Sequence, residues 1–136
     1  MMESIREIIA LFGGVDLLRK AAIRVEVEGF MPLCIEYVGV GPRGGTLISV
    51  AHYYLQQGDL MADPDLTIEV LTEGDWSPVA YQQDNLGIYQ EAVSLDGGKM
   101  VERRRLVNDL LAFMRVWDEN IKEQGFIEAA RRQAQG

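Results

Sequence analysis

The sequence predicts an α+β domain: an antiparallel sheet of about five or six strands, with an N-terminal helix and a long C-terminal helix packed on one face. Three observations lead there. Apolar residues recur at helical spacing near both ends of the chain. Between about residues 23 and 100 they alternate with polar residues at the two-residue period of strands. The alternating runs are separated by short turns rich in Gly, Asn and Asp. The expected organisation is one domain, 1–136: a helical segment 1–22, a sheet 23–100, a long helix 101–126, and a frayed or disordered tail 127–136.

Ile5, Ile8, Ile9 and Phe12 lie on one helical face, and Gly13 and Gly14 suit the helix C-terminus. Val15 to Ala22 has room for another turn or two of helix. Ile23, Val25 and Val27 then alternate with Arg24, Glu26 and Glu28, which makes a half-buried strand. Leu33–Val38 is a second strand, Gly39–Gly45 a loop, Thr46–Tyr54 a third strand, and Leu66–Val70 a fourth. Pro78–Gln83 and Gly87–Val93 flank Asp84-Asn85-Leu86 and form a hairpin, and Asp96-Gly97-Gly98 marks the next turn. Leu106, Leu110, Phe113, Met114, Trp117 and Ile121 then form the stripe of an amphipathic helix that stops near Gly125.

The chain of 136 residues is 48% hydrophobic and 25% charged, which suits one globular domain and excludes a disordered class. No apolar run is long enough to span a membrane. Glu3 and Glu7 stand where a secretory signal would be basic, and the single Cys34 cannot form an intramolecular disulfide, so the expected location is cytoplasmic. The net charge is 13 − 21 = −8. No Lys or Arg occurs from Gly44 to Gly98, whereas Asp59, Asp63, Asp65, Glu69, Glu73, Asp75, Asp84, Glu91 and Asp96 all do. Direct nucleic-acid binding needs clustered cations and is excluded here; the acidity suits solubility or a basic protein partner.

Several chemistries fail on their own terms. Gly39-Val40-Gly41-Pro42-Arg43-Gly44 matches the letters of the dinucleotide fingerprint, but a strand-forming run follows where that motif needs a helix N-terminus. Asp63-Pro64-Asp65 opens like a calcium loop, yet its sixth position is Ile68 and its twelfth Gly74. Cys34 and His52 are too few for zinc, no serine has a nucleophile elbow, and a Cys34–His52 dyad has no local support. No cofactor is expected.

One constellation survives. His52, Tyr54 and Gln56 share a face of the third strand by the two-residue period. The following loop brings Asp59, Asp63 and Asp65, and the hairpin brings Gln83, Asp84, Asn85 and Gln90. If these strands are neighbours, Asp59, Asp63, Asp65 and Asp84 are candidate ligands for a hard cation, with His52 as base. The plainer reading makes the acids turn-builders and His52 a satisfied sheet residue.

Phe30-Met31-Pro32-Leu33, Ser49-Val50-Ala51-His52-Tyr53-Tyr54, Gln57-Gly58-Asp59, Asp63-Pro64-Asp65, Tyr81-Gln82-Gln83-Asp84-Asn85-Leu86-Gly87-Ile88, Trp117-Asp118-Glu119-Asn120 and Gln124-Gly125-Phe126 carry a resemblance. Over roughly Glu28 to Phe126 the chain resembles an uncharacterised bacterial domain family found on plasmids, phages and conjugative elements. The N-terminal helix lies outside that resemblance, which implies a mobile-element setting and no activity. The leading expectation is a cytoplasmic protein-interaction module without catalysis. The alternatives are a metal-dependent hydrolase and a structural subunit stable as a homodimer.

Overall fold

The computed structural model describes residues 1–71 and 74–136; Glu73 of the acidic stretch lies outside the described residues. In chain order the elements are helices α1 (Glu3–Leu11) and α2 (Val15–Leu18), then strands β1 (Ile23–Val25), β2 (Leu33–Val40), β3 (Thr46–Gln56), β4 (Asp59–Val70), β5 (Trp76–Gln83) and β6 (Ile88–Glu91). A short ribbon of β7 (Val93–Asp96) and β8 (Lys99–Glu102) precedes helices α3 (Arg104–Glu123) and α4 (Phe126–Gln135). β1 to β6 form one sheet in sequence order, each strand antiparallel to the next. The α+β architecture is the one that the alternating periods predict.

All the helices that bury apolar stripes do so against one face. Ile35, Val50, Leu66 and Ile68 of the sheet join Ile5 and Ile8 of α1, Leu110, Met114, Trp117 and Ile121 of α3, and Phe126 of α4 in one core. Each fully buried side chain of this kind contributes about 1.5–3 kcal/mol relative to exposure. α1 closes at its glycines: the Gly14 N–H donates to Ile9 O at 2.9 Å with φ at +97°, a conformation only glycine takes without strain.

Besides the expected strand Gly87–Val93, which divides into β6 ending at Glu91 and β7 opening at Val93 in the separate ribbon, three elements differ from the periodicity reading. No loop holds Asp59, Asp63 and Asp65: β3 turns directly into β4 through Gln57 (φ 53°) and Gly58 (φ 88°), and the strand begins at Asp59. Pro64 interrupts the alternation there because it has no N–H for the ladder, so the strand was legible only from Leu66 onward. At that point Asp63 and Pro64 face the single residue His52, in a bulge between the pairs Ala51–Asp65 and Tyr53–Ala62. Secondly, residues 101 and 102 belong to β8, and the helix begins at Arg104. Four-residue strands carry too few alternations to declare themselves. Thirdly, the tail is not frayed. α4 buries Phe126, Ile127, Ala129 and Ala130, and is tied down by Arg131 to Glu7 at 3.2 Å and by Gln133 Nε2 donating to Arg24 O at 2.9 Å.

The glycine-rich connection between β2 and β3 does bind an anion, but one from inside the protein. Glu69 of β4 is fully buried, and its Oε2 accepts from Arg43 N at 2.9 Å and Gly45 N at 2.8 Å. A Cβ on Gly41 would overlap the Glu69 carboxyl, and one on Gly45 would sit 2.7 Å from Val70 O. Arg43 Nη1 lies 3.7 Å from Glu69 Oε1, and its guanidinium also reaches Ser77 Oγ at 3.2 Å and Glu102 at 3.5 Å.

Candidate functional site

His52 stands opposite Leu33 of β2 and shares its face with Ile48 and Val50, so its ring enters the helix-side core. It is only 7% exposed. Its Nδ1 lies 3.1 Å from Met31 O and 3.1 Å from Pro32 O. Carbonyls only accept, so Nδ1 holds the proton and Nε2 presents the lone pair. Burial pushes the imidazole pKa below its usual value, against the opposing pull of the two carbonyls and the Asp63 charge, so the ring is neutral at pH 7. Trp117 meets it edge-on with centroids 5.6 Å apart, and Phe126 lies tilted at 5.6 Å.

The ring lines a small pocket of about 130 Å³ with Phe30, Met31, Trp117, Asn120 and Gln124. Four of the segments that carry the family resemblance, far apart in sequence, each place a residue or two here: Phe30–Leu33, Ser49–Tyr54, Trp117–Asn120 and Gln124–Phe126. Apart from His52, none of these residues belonged to the constellation read from the sequence. A signal was available. Trp117 and Asn120 continue the line of Phe113 along one face of α3, Gln124 extends it at the C-terminal cap, and the last two positions change from apolar to amide.

The predicted polar constellation divides among several places. Asp63 faces the helix side: Gln83 Nε2 donates to Asp63 Oδ1 at 3.1 Å, and Tyr81 OH donates to Gln83 Oε1 at 2.6 Å while Tyr81 packs edge-on against Phe113. Burial, and then the Asp63 charge, raise the Tyr81 phenol pKa. Asp65 faces the other side, where it accepts from Ser49 Oγ at 2.6 Å and Tyr53 OH at 3.2 Å. Burial and the same carboxylate raise the Tyr53 phenol. Asp63 and Asp65 are two residues apart and would share a face in a regular strand; the bulge separates them.

Asp84 stitches the single-turn helix after β5 onto β4, accepting from Ala62 N at 2.7 Å and Gln82 Nε2 at 2.7 Å. Those two bonds hold its carboxyl below the usual range. Asp59 and Gln56 are exposed at the β3–β4 turn, and Asn85 and Gln90 are exposed around the β5–β6 connection. Among the described residues no three His, Cys, Asp or Glu side chains are grouped so as to hold a metal ion. The proposed ligands Asp63, Asp65 and Asp84 each serve a different internal hydrogen-bond set. Cys34 pairs with Ala51, one residue out of step with His52, so thiol and imidazole occupy opposite faces and form no dyad. Burial also raises the Cys34 thiol.

Beside the pocket, the projecting end of the β3–β4 hairpin forms an apolar groove of about 430 Å³ lined by Arg24, Met31, Tyr53, Tyr54, Leu55 and Leu60. Of the predicted residues, Tyr54 alone lies in it. Leu55 and Leu60 face each other across the hairpin and remain 73% and 61% exposed. No helix of the described residues is long and apolar enough to cross a membrane.

No curated protein and no solved structure matches the chain. A family model does, over residues 3–127, which takes in α1 as well as the sheet and α3. The chain therefore belongs to DUF6908, a family of domains of unknown function.

Proposed function

We propose that this domain is a cytoplasmic protein-interaction module without catalysis of its own, and that its contact surface is the β3–β4 end of the sheet. The observation that supports this reading is the exposed groove: Leu55 and Leu60 keep large apolar side chains in water, as does Phe30 of the adjoining pocket at 48% exposure, while Asp63, Asp65, Gln83 and Asp84 of the predicted constellation are turned to internal bonds. Apolar surface of this kind, rimmed by charge, is where proteins meet partners. The net charge of −8 favours a basic partner and a complex that weakens as salt is added. In the mobile-element setting that the resemblance implies, a host nuclease whose DNA cleft accepts acidic surface is one such partner.

The test compares the wild-type chain with a Leu55→Ser, Leu60→Ser variant as immobilised bait. Both sites are exposed, so each substitution alters stability by no more than about 0.5 kcal/mol. The expected result is a defined basic protein retained by the wild type, released by salt, and absent from the folded variant. Retention by both proteins, or turnover of a substrate by the isolated domain, removes the reading. Light scattering over a range of concentrations identifies a second copy of the chain as the occupant. A cleavage assay at saturating protein addresses the nuclease, and full cleavage eliminates it.

A further inference from the structure

The His52 pocket is too small for most metabolites. Small-molecule sites usually enclose roughly 300–1,000 Å³, and this one encloses about 130 Å³. It suits the head of one side chain. Its polar lining sets what that head must carry. Nδ1 of His52 is committed to the Met31 and Pro32 carbonyls. Among buried side-chain nitrogens and oxygens of the described residues only Glu69 Oε1 lacks a partner, so the unpartnered Nε2 of His52 is an acceptor within reach of the pocket's contents. Asn120 of α3 and Gln124 at its C-terminal cap line the pocket, and each amide offers an acceptor oxygen beside its own N–H donors.

An anionic head fails here. None of the lining residues is cationic, the chain from Gly44 to Gly98 has no Lys or Arg, and Asp63 places its charge near the imidazole. A flat cation with several N–H donors fits each wall: its face against Trp117 and Phe30, its edge toward Nε2 and the amide oxygens. An ammonium is a strongly hydrated point charge and matches spaced acceptors less well. Met31 lines both the pocket and the apolar groove, so the two adjoin at that residue, although Tyr53 and Leu55 face the side of the sheet away from His52.

We infer that this pocket receives an arginine side chain from a partner protein, whose adjoining chain passes Met31 at the edge between the pocket and the groove. The inference rests on the interaction-module reading and names the chemistry the module selects. A nucleobase shares the flat shape and the donors but brings phosphates to an acidic surface, and it enters the test as a competitor.

The experiment is an NMR titration of the full, nitrogen-15-labelled chain with N-acetyl-arginine amide. The parallel probes are the lysine and citrulline analogues, uridine and adenosine. Arginine is expected to give saturable, millimolar shifts of the Trp117 indole N–H and of the Asn120 and Gln124 side-chain amides. The neutral citrulline analogue should bind roughly fivefold more weakly, and the lysine analogue should also be weaker. An Asn120→Ala, Gln124→Ala variant, which leaves the buried core intact, should lose roughly tenfold in affinity, the worth of two neutral hydrogen bonds. No saturation at those signals, equal binding of citrulline, or stronger binding of a nucleoside overturns the assignment. If a partner is captured through the groove while arginine does not bind, the pocket assignment fails and the module reading stands. Arginine binding with no captured partner does the reverse.

Discussion

At the scale of single residues, Glu69 and His52 illustrate two ways of keeping a polar group inside. Glu69 is held by backbone amides of a loop whose glycines leave room for its carboxyl, with a guanidinium alongside. Breaking a buried arrangement of this kind costs about 3–5 kcal/mol, because the partner groups stay buried and unpaired. Glu69→Ala should therefore lower the unfolding free energy by about that amount in a urea titration, and Gly41→Ala by about 1–3 kcal/mol through overpacking. The Gly39–Gly45 connection, read from the sequence as a loop between strands, turns two of its amides on a carboxylate. That the anion is residue 69 depends on β3 lying next to β4, which no local pattern encodes.

His52 makes the pH dependence testable. Its native pKa lies below the unfolded value of 6.5, so the unfolded chain takes up a proton first as the solution is acidified. The stabilising contribution is complete above that unfolded value and is lost as the pH falls through the native one. The melting temperature should thus decline between pH 7 and pH 5, and His52→Gln should flatten that decline. An unchanged slope in the variant would show the imidazole to be uninvolved. Asp84, whose carboxyl is also depressed, adds its own loss only below the ordinary carboxylate value of 3.8, in a separate window.

At the scale of elements, α4 has the largest consequence that periodicity missed. Phe126 is fully buried and touches both His52 and Phe30. Phe126→Ala should cost about 3–5 kcal/mol, measured by thermal or urea unfolding; a cost under about 1 kcal/mol, typical of surface positions, would show that the helix is dispensable. The residues after Phe126 read as an Ala- and Gln-rich tail, and alanine declares a buried face only when another surface is present to bury it. That surface is α1, more than a hundred residues earlier in the chain. β4 was legible from Leu66 to Val70 and obscured at Pro64, where the bulge interrupts the alternation.

For the whole molecule, the distribution of the carboxylates sets what a metal titration should show. Asp63, Asp65 and Asp84 are held by three different hydrogen-bond sets, and Asp59 lies at an exposed turn. Thermal melts with magnesium, manganese, calcium or zinc should show no rise in melting temperature; a rise of several degrees with one ion would restore the hydrolase reading. By itself the sequence determined α1, α3 and the order of the main strands of the sheet, because helical and strand periods are set by residues two to four positions apart. It also determined the acidity and the failure of the dinucleotide, calcium and zinc motifs. Only the tertiary structure decided that Asp63 and Asp65 part to opposite faces and that His52 meets Trp117, Asn120 and Gln124. Those outcomes depend on a one-residue change of strand register and on the docking of helices from the far end of the chain, interactions whose partners are distant in sequence and close only once the core has formed.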